Sequence, residues 1–552
     1  MFALSSLASG PFPFSPVAFT VFIIFFLLVT VLGFIAARWR RGNLDLIHEW
    51  GLAGRRFGTL VTWFLLGGDL YTAYTFIAVP AAMFGLGALN GWFAVPYTVL
   101  VYPIIYVLMP KFWSVCKQRG YVTAADFVQD RFGSQTLAFV VALTGIVATL
   151  PYIALQMFGI QVSLAALGVP LAFSIGGFSI DLPLLIAFLI LAAYTYTSGL
   201  RAPAMIALVK DVMIFIVLFA VLIVLPAKLG GFGAIFNAVA HKAATHPATI
   251  PGPGGKPVAN PNAFFEFLKP TQYWAYVTLA LGSALALFLY PHSLTSVLSS
   301  NSKNVVKRNT ALLPIYSLML GLLALTGYMA IAAGINPPKS LSSNYAVPLL
   351  INAQFPDWFA GFAFAAISIG ALVPAAVMSI AAANLFTRNI YKAYIRREAG
   401  DREESSVAKW ASFVLKFGAV LFIVYIPTAQ VINFQLLGGI WILQTLPAVF
   451  LGLYTSWFNR WALVIGWLVA EVLGTILFIA AGLKSVYAIS IFGLSLPSMY
   501  IAFSMVILNL ILAIILTPIF NAISGRSQDV TAPTDYDVEE AEPVEVGKEA
   551  LG

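Results

Sequence analysis

Cysteine, histidine and charge are what this 552-residue sequence has least of. Its one cysteine, Cys116, excludes a disulfide framework and any Cys-rich zinc or iron–sulfur site. The four histidines, His48, His241, His246 and His292, contain no HxxxH pair that would share one helix face around a metal. A GxGxxG after a strand, a GxxxxGK[ST] loop and a GxSxG elbow are also missing, so phosphate-cradling enzymes and serine hydrolases lack sequence support. Charged residues make up only 9% of the chain, against roughly 25% in soluble domains. A soluble fold could not cover that much apolar surface, so a soluble enzyme is excluded.

What is there is apolar: 60% of the residues are hydrophobic. Taking about 20 apolar residues as one span, thirteen helices are predicted near 16–38, 60–88, 91–110, 135–165, 182–199, 203–229, 272–296, 310–334, 358–386, 408–433, 436–457, 461–483 and 498–522. The expected fold is therefore an all-α polytopic membrane protein. Lys and Arg concentrate in alternate short loops, as the cytoplasmic side of a membrane protein requires. One set holds Arg38, Arg40, Arg41, Arg55 and Arg56, then Lys111, Lys117, Arg119 and Arg131, then Lys303, Lys307 and Arg308, then the run from Arg388 to Lys409. The loops between them are nearly bare. This pattern predicts an outside N-terminus, an inside C-terminus and an odd helix count. It also explains the net charge of +8 without a nucleic-acid partner, because the basic residues do not form one face.

The N-terminus has no basic stretch, and the run from Val17 to Ala37 exceeds a signal-peptide core, so an uncleaved spanning helix is expected. The Pro/Gly-rich segment at 230–271 reads as an external loop with a short helix at its start. The acidic stretch from Ser527 reads as a disordered cytoplasmic tail. No sizeable soluble domain follows Phe520, which argues against a membrane-embedded sensor.

Several polar residues fall inside apolar segments. Asp69, in WFLLGGDLYTAYTF, costs roughly 2.5–3.5 kcal/mol at membrane depth on insertion scales. Gly67 and Gly68 precede it and Pro80 follows, so the helix is expected to break there and present backbone groups to a ligand. The alternative is a structural carboxylate held by Tyr71 or Thr72. Lys210 and Asp211 are adjacent, and neighbouring helix positions point in different directions, so each is expected to find another partner. Lys210 is expected to snorkel towards the cytoplasmic interface, and Asp211 either lines an internal cavity or holds a structural pair. Glu471 reads as a structural contact and His292 as interfacial. Gln156 is a buried amide whose bond across helices is expected with or without substrate.

These pieces resemble the sodium:solute symporter family over most of the chain. The resemblance rests on GLAGRRFGTLVTWFLLGGDLYTAYTFIAVPAAMFGLG at 51–87, YVTAADFVQDRFG at 121–133, ALQMFGI at 154–160, SGLRAPAMIALVKD at 198–211, FLYPHS at 288–293 and TRNIYK at 387–392. GGDLYTAYTF, RAPAMIALVKD and VPAAVMSIAAANLFTRNIYK are similar to the monocarboxylate permeases within it. The resemblance implies a five-plus-five inverted repeat, 60–229 and 272–457, flanked by 1–59, an external loop at 230–271, two peripheral helices in 458–522 and the tail 523–552. Both repeat-leading helices would be broken at a central site, the second at Gly282 and Ser283. Expected substrate contacts are Gly67, Gly68, Asp69, Tyr71, Thr72, Gln156, Gly282 and Ser283.

One departure concerns the coupling ion. The family places a hydroxyl pair on the helix ending in T-x-D-[IL]-Y-[KR], and counting back from Thr387 that pair falls on Val373 and Pro374, which offer no side-chain oxygen. Asn389 stands where the family has aspartate. Sodium is a hard cation that wants oxygen ligands, so Ser368 or Ser379 would have to substitute, or a proton on Asp69 or Asp211 would replace sodium. The expected function is import of a small organic anion, a short monocarboxylate such as lactate or pyruvate, into the cell in symport with sodium or protons, with no other cofactor. The alternative solute is an amino acid or another polar molecule.

Overall fold

A computed structural model of the chain describes residues 12–36, 38–39, 42–68, 72–171, 173–175, 178–251, 256–260, 263–338, 341–425, 431–491 and 494–537. Its main helices are α1 (Pro16–Ile35), α2 (Thr59–Gly68), α3 (Tyr74–Leu86), α4 (Ala94–Arg119), α5 (Gln135–Ala166), α6 (Leu182–Ser198) and α7 (Arg201–Lys228). There follow α8 (Tyr273–Leu287), α9 (Pro291–Leu298), α10 (Lys303–Ala324), α11 (Asp357–Phe386), α12 (Asp401–Tyr425), α13 (Val431–Ile442), α14 (Arg460–Ala480) and α15 (Ile501–Ser524). Among the described residues nine helices are long and apolar enough to cross a membrane, or ten if α8 and α9 form one bent span. Each of the thirteen apolar segments of the sequence coincides with a helix or a helix pair, the shorter ones being α2 with α3, and α6.

Helix α11 is the hub. From Phe359 to Leu385 every side chain is buried, and it packs on α1, α5, α7 and α12. Its alanine-rich sequence explains this, because small side chains let helices approach where lipid gives no hydrophobic drive to associate. Only an apolar helix buried all round has so little amphipathic character.

Two spans are interrupted. Helix α2 ends at Gly68 and helical structure resumes at Ala73, leading into α3; the intervening Asp69, Leu70 and Tyr71 lie outside the described residues. The second interruption, a bend of 47°, separates α8 from α9. It falls at Phe288–Tyr290 and not at Gly282 and Ser283, which sit inside the continuous α8. Pro291 is the cause: a residue before proline is pushed out of the helical region, and Tyr290 has φ −59° and ψ 136°. Gly282 serves packing instead, since a Cβ there would meet the Tyr500 ring at 2.7 Å.

The basic loops gather at one end of the bundle. Arg55 donates to the carbonyls of Leu298, Cys116 and Tyr121, Arg201 and Arg56 pair with Glu49, Arg388 and Lys392 pair with Glu404, and Arg460 donates to Gly133. At the opposite end the helix Gly231–Thr245 sends Lys242 to the Phe84 carbonyl, and Gly87, at φ 85°, lies so close to the Phe265 carbonyl that a Cβ would be 2.1 Å from it.

The tail departs from the expected disorder. Up to Asp537 it folds over the basic end: Arg131 pairs with Asp529 at 2.5 Å, Arg119 with Asp535 at 2.7 Å and Lys303 with Asp537 at 2.9 Å. The Val530 amide donates to Asp130, and Tyr536 stacks edge-on against Phe127. Local composition cannot reveal this order, because the partners come from loops hundreds of residues away. Residues 538–552 lie outside the described residues.

Candidate functional site

The glycine pair at the first break has a specific reason. A Cβ on Gly67 would lie 2.7 Å from the Tyr316 ring, and one on Gly68 would lie 2.7 Å from Lys210 Nζ. The Lys210 ammonium donates to the Gly68 carbonyl at 2.9 Å and pairs with Asp211 Oδ1 at 2.9 Å, both side chains being fully buried. Two expectations are thereby corrected: the adjacent residues do pair, and Lys210 does not snorkel to an interface. The spacing rule concerns Cβ directions, and the four-carbon lysine stem is long enough to bend back to its neighbour. Lys210 stands nine residues into α7, about 13 Å along the axis, close to mid-membrane depth. A buried ion pair needs extra hydrogen bonds to offset its desolvation, and the Gly68 carbonyl supplies one.

The far side of the break is capped by side chains. Thr72 Oγ1 accepts the Tyr74 amide at 3.0 Å, and Gln156 Oε1, from α5, accepts the Ala73 amide at 3.1 Å. Gln156 is fully buried, so the expected bond across helices is made to the backbone of the broken helix. A Cβ on Gly159 would lie 2.2 Å from the Ala73 Cβ, which is how closely α5 approaches this segment.

Between the two broken helices lies a small cavity of about 20 Å³, room for about one water, lined by Tyr74, Tyr97, Tyr152, Ser283, Tyr290 and Tyr500. Tyr74 comes from the first broken helix, Tyr152 from α5, Ser283 from α8 and Tyr290 from the second break. The Tyr500 hydroxyl donates to the Leu436 carbonyl at 2.8 Å, whereas the buried Ser283 hydroxyl has no hydrogen-bond partner among the described residues. Such a group is expected to find one in a ligand or water. His292 is not interfacial: it is buried, its ring 5.4 Å from that of Tyr152 and 5.3 Å from that of Tyr290. The sequence singles out Ser283 and Gln156 but not the tyrosines, which look like ordinary members of apolar helices until the fold brings them together.

Among the described residues, the oxygen ligands that a sodium ion would need at the first break do not assemble. Helix α7 packs on both α2 and α11, and the carbonyl it meets is occupied by Lys210. Because Asp211 neutralises that ammonium, the pair offers a sodium ion no net negative charge. On α11, Val373 and Pro374 bring no side-chain oxygen. Ser368 and Ser379 are eleven residues apart on that helix, about 16 Å along its axis, so both cannot ligate one ion. Ser379 donates to the Ala376 carbonyl and accepts from Ser412, which accepts from the buried Lys416. Asn389 is engaged elsewhere, donating to Asp126 and accepting from Thr123, each at 2.8 Å; an aspartate there would face the Asp126 carboxylate.

Paired helix interruptions deep in an α-helical bundle, with a tyrosine-lined cavity between them, define a secondary transporter of the discontinuous-helix type. The chain belongs to the sodium:solute symporter family, whose model matches residues 50–474. It is 52% identical over 477 residues to a monocarboxylate transport permease protein of Rhizobium johnstonii, covering 86% of this chain and 91% of that one. It is 32% identical over 511 residues to the uncharacterized symporter YodF of Bacillus subtilis, covering 92% and 95%. Among solved structures it is similar to a substrate-bound, outward-open Na+-coupled sialic acid symporter, with a TM-score of 0.69 and 15% identity over 92% of this chain and 99% of that one. At that identity the likeness concerns the fold.

Proposed function

We propose that this protein imports a short monocarboxylate such as lactate or pyruvate across the cell membrane by alternating access, binding it in the cavity between the two helix breaks. The observation that carries this reading is the unbonded Ser283 hydroxyl at a tyrosine-lined cavity between the breaks, since a hydroxyl donor suits a carboxylate. The 52% identical relative named as a monocarboxylate permease supports the substrate class. In this scheme Ser283 contacts substrate, Gln156 and Thr72 hold the half-helix beside it, Gly67 and Gly68 admit Tyr316 and Lys210, and Gly282 admits Tyr500. Asp69 and Tyr71, outside the described residues, follow Gly68 in sequence, and Asp69 serves substrate or ion coupling. The driving ion is sodium or a proton, with Asp69 and Asp211 the carboxylates available to a proton.

The repeats run over 60–229 and 272–457, with the basic end of the bundle facing the cytoplasm. The substrate assignment is tested by uptake of labelled pyruvate in the presence of unlabelled lactate or alanine. Lactate is expected to compete and alanine not to; the reverse result identifies an amino-acid carrier.

A further inference from the structure

On the reading of this chain as a symporter, we propose that Lys210 supplies, in tethered form, the cation that the broken end of α2 requires, so that this break binds no sodium and transport does not depend on it. The argument starts from the backbone. The last carbonyls of a helix have no partner within it and carry the negative end of its dipole, and at mid-membrane depth water is not there to satisfy them. A donor or a cation must, and the ammonium of Lys210 is both, 2.9 Å from the Gly68 carbonyl.

Three further features fit a tethered cation better than an exchangeable one. Gly68 has no Cβ, and one would come within 2.7 Å of Lys210 Nζ, so the residue at the helix end makes room for the ammonium itself. Asp211 lies 2.9 Å from the same nitrogen, so lysine and aspartate cancel and the pair is neutral without an ion; an added sodium would bring an uncompensated charge. Tyr316, against Gly67, closes the remaining side. On helix α11, which packs on α7, Val373 and Pro374 occupy the positions to which the family resemblance assigns hydroxyls; of its serines, Ser379 is bonded to Ala376 and Ser412, and Ser368, buried and unbonded among the described residues, brings a single hydroxyl. The charged groups around the break are thus Lys210 and Asp211, with Asp69 beside them in sequence.

The experiment uses the full-length protein and has two readouts. Thermal unfolding of purified wild type is followed while sodium chloride replaces N-methylglucamine chloride at constant ionic strength. Uptake of labelled pyruvate into proteoliposomes is then driven by an inward sodium gradient with pH clamped and membrane potential held at zero. We expect no saturable sodium-dependent shift in Tm and no accumulation above the sodium-free rate. In Lys210→Ala the Gly68 carbonyl and Asp211 lose their counter-charge, so uptake falls at least tenfold and sodium now raises Tm.

A saturable sodium stabilisation of wild type, accumulation driven by sodium alone, or a Lys210→Ala protein with wild-type uptake and no sodium response would each overturn the proposal. If Lys210→Ala does not fold, the wild-type titration decides alone. Failure to take up any monocarboxylate counts against the substrate assignment, whereas the sodium titration needs no substrate and still decides this point.

Discussion

Single residues at the two breaks make the most direct predictions. Gly68→Ala would place a methyl 2.7 Å from Lys210 Nζ; because that nitrogen ends a flexible stem, the fold should survive while the ammonium leaves its carbonyl. Uptake is expected to fall about tenfold, the equivalent of about 1.4 kcal/mol, with normal yield and Tm. Wild-type uptake by Gly68→Ala would show that the contact is dispensable. Ser283→Ala removes the unbonded hydroxyl facing the cavity, and a hydrogen bond to a charged group is worth about 1.5–3 kcal/mol. Its KM should rise about tenfold or more with little loss of stability, since no protein bond is broken; an unchanged KM places the substrate elsewhere. Asp69→Asn should insert normally yet lose most concentrative uptake, a loss read by comparing accumulation ratios at matched expression.

At this scale the sequence marks Gly67 and Gly68 as an interruption and Gln156 as an amide bonded across helices, but it names Ser283 only for a break that falls at Phe288–Tyr290 instead. It misjudged Lys210 because periodicity describes where Cβ atoms point, not how far a long side chain bends. The partners that matter, Tyr316 and the Gly68 carbonyl, come from different helices.

Helices were the most legible level, because a membrane core demands about 20 apolar residues per span and thirteen such stretches stand out. Interruptions were less so. Glycine marks the first correctly, but proline sets the second, and Gly282 reflects a close approach by Tyr500 instead of a bend. The tail was misread for a related reason: a run of acidic residues predicts disorder only when no basic surface awaits it. In its three pairs only Asp537 is exposed, and together with Tyr536 they form a strap.

That strap should respond to pH. Burial alone would raise the Asp535 carboxyl, but the Ala532 amide and the Arg119 guanidinium outweigh it and hold the pKa below the ordinary 3.8. Lys303 likewise lowers that of Asp537. Groups with depressed folded-state pKa values stabilise the folded form above their unfolded values and lose that contribution as pH falls through the folded ones. Hydrogen exchange of residues 527–537 is therefore expected to be slowed near neutral pH and to lose protection as the pH falls below the ordinary carboxyl range. Protection that persists in acid would mean that packing of Tyr536, not charge, holds the strap.

For the molecule as a whole, the charge pattern divides the loops into two sets, and the fold gathers the basic set with the tail at one end. Which end faces the cytoplasm is testable with single cysteines, because the native Cys116 is buried. His241→Cys, on the exposed surface of the helix Gly231–Thr245, should react with an impermeant thiol reagent applied to intact cells, and Arg402→Cys, exposed at the opposite end, should not. Labelling in the reverse pattern would invert the topology.

The central claim, a carrier for short monocarboxylates, is tested most directly by counterflow in proteoliposomes with no ion gradient imposed. Vesicles preloaded with unlabelled lactate should transiently accumulate labelled pyruvate above equilibrium, while vesicles preloaded with alanine should not. Overshoot with alanine alone, or none with any monocarboxylate, would contradict it.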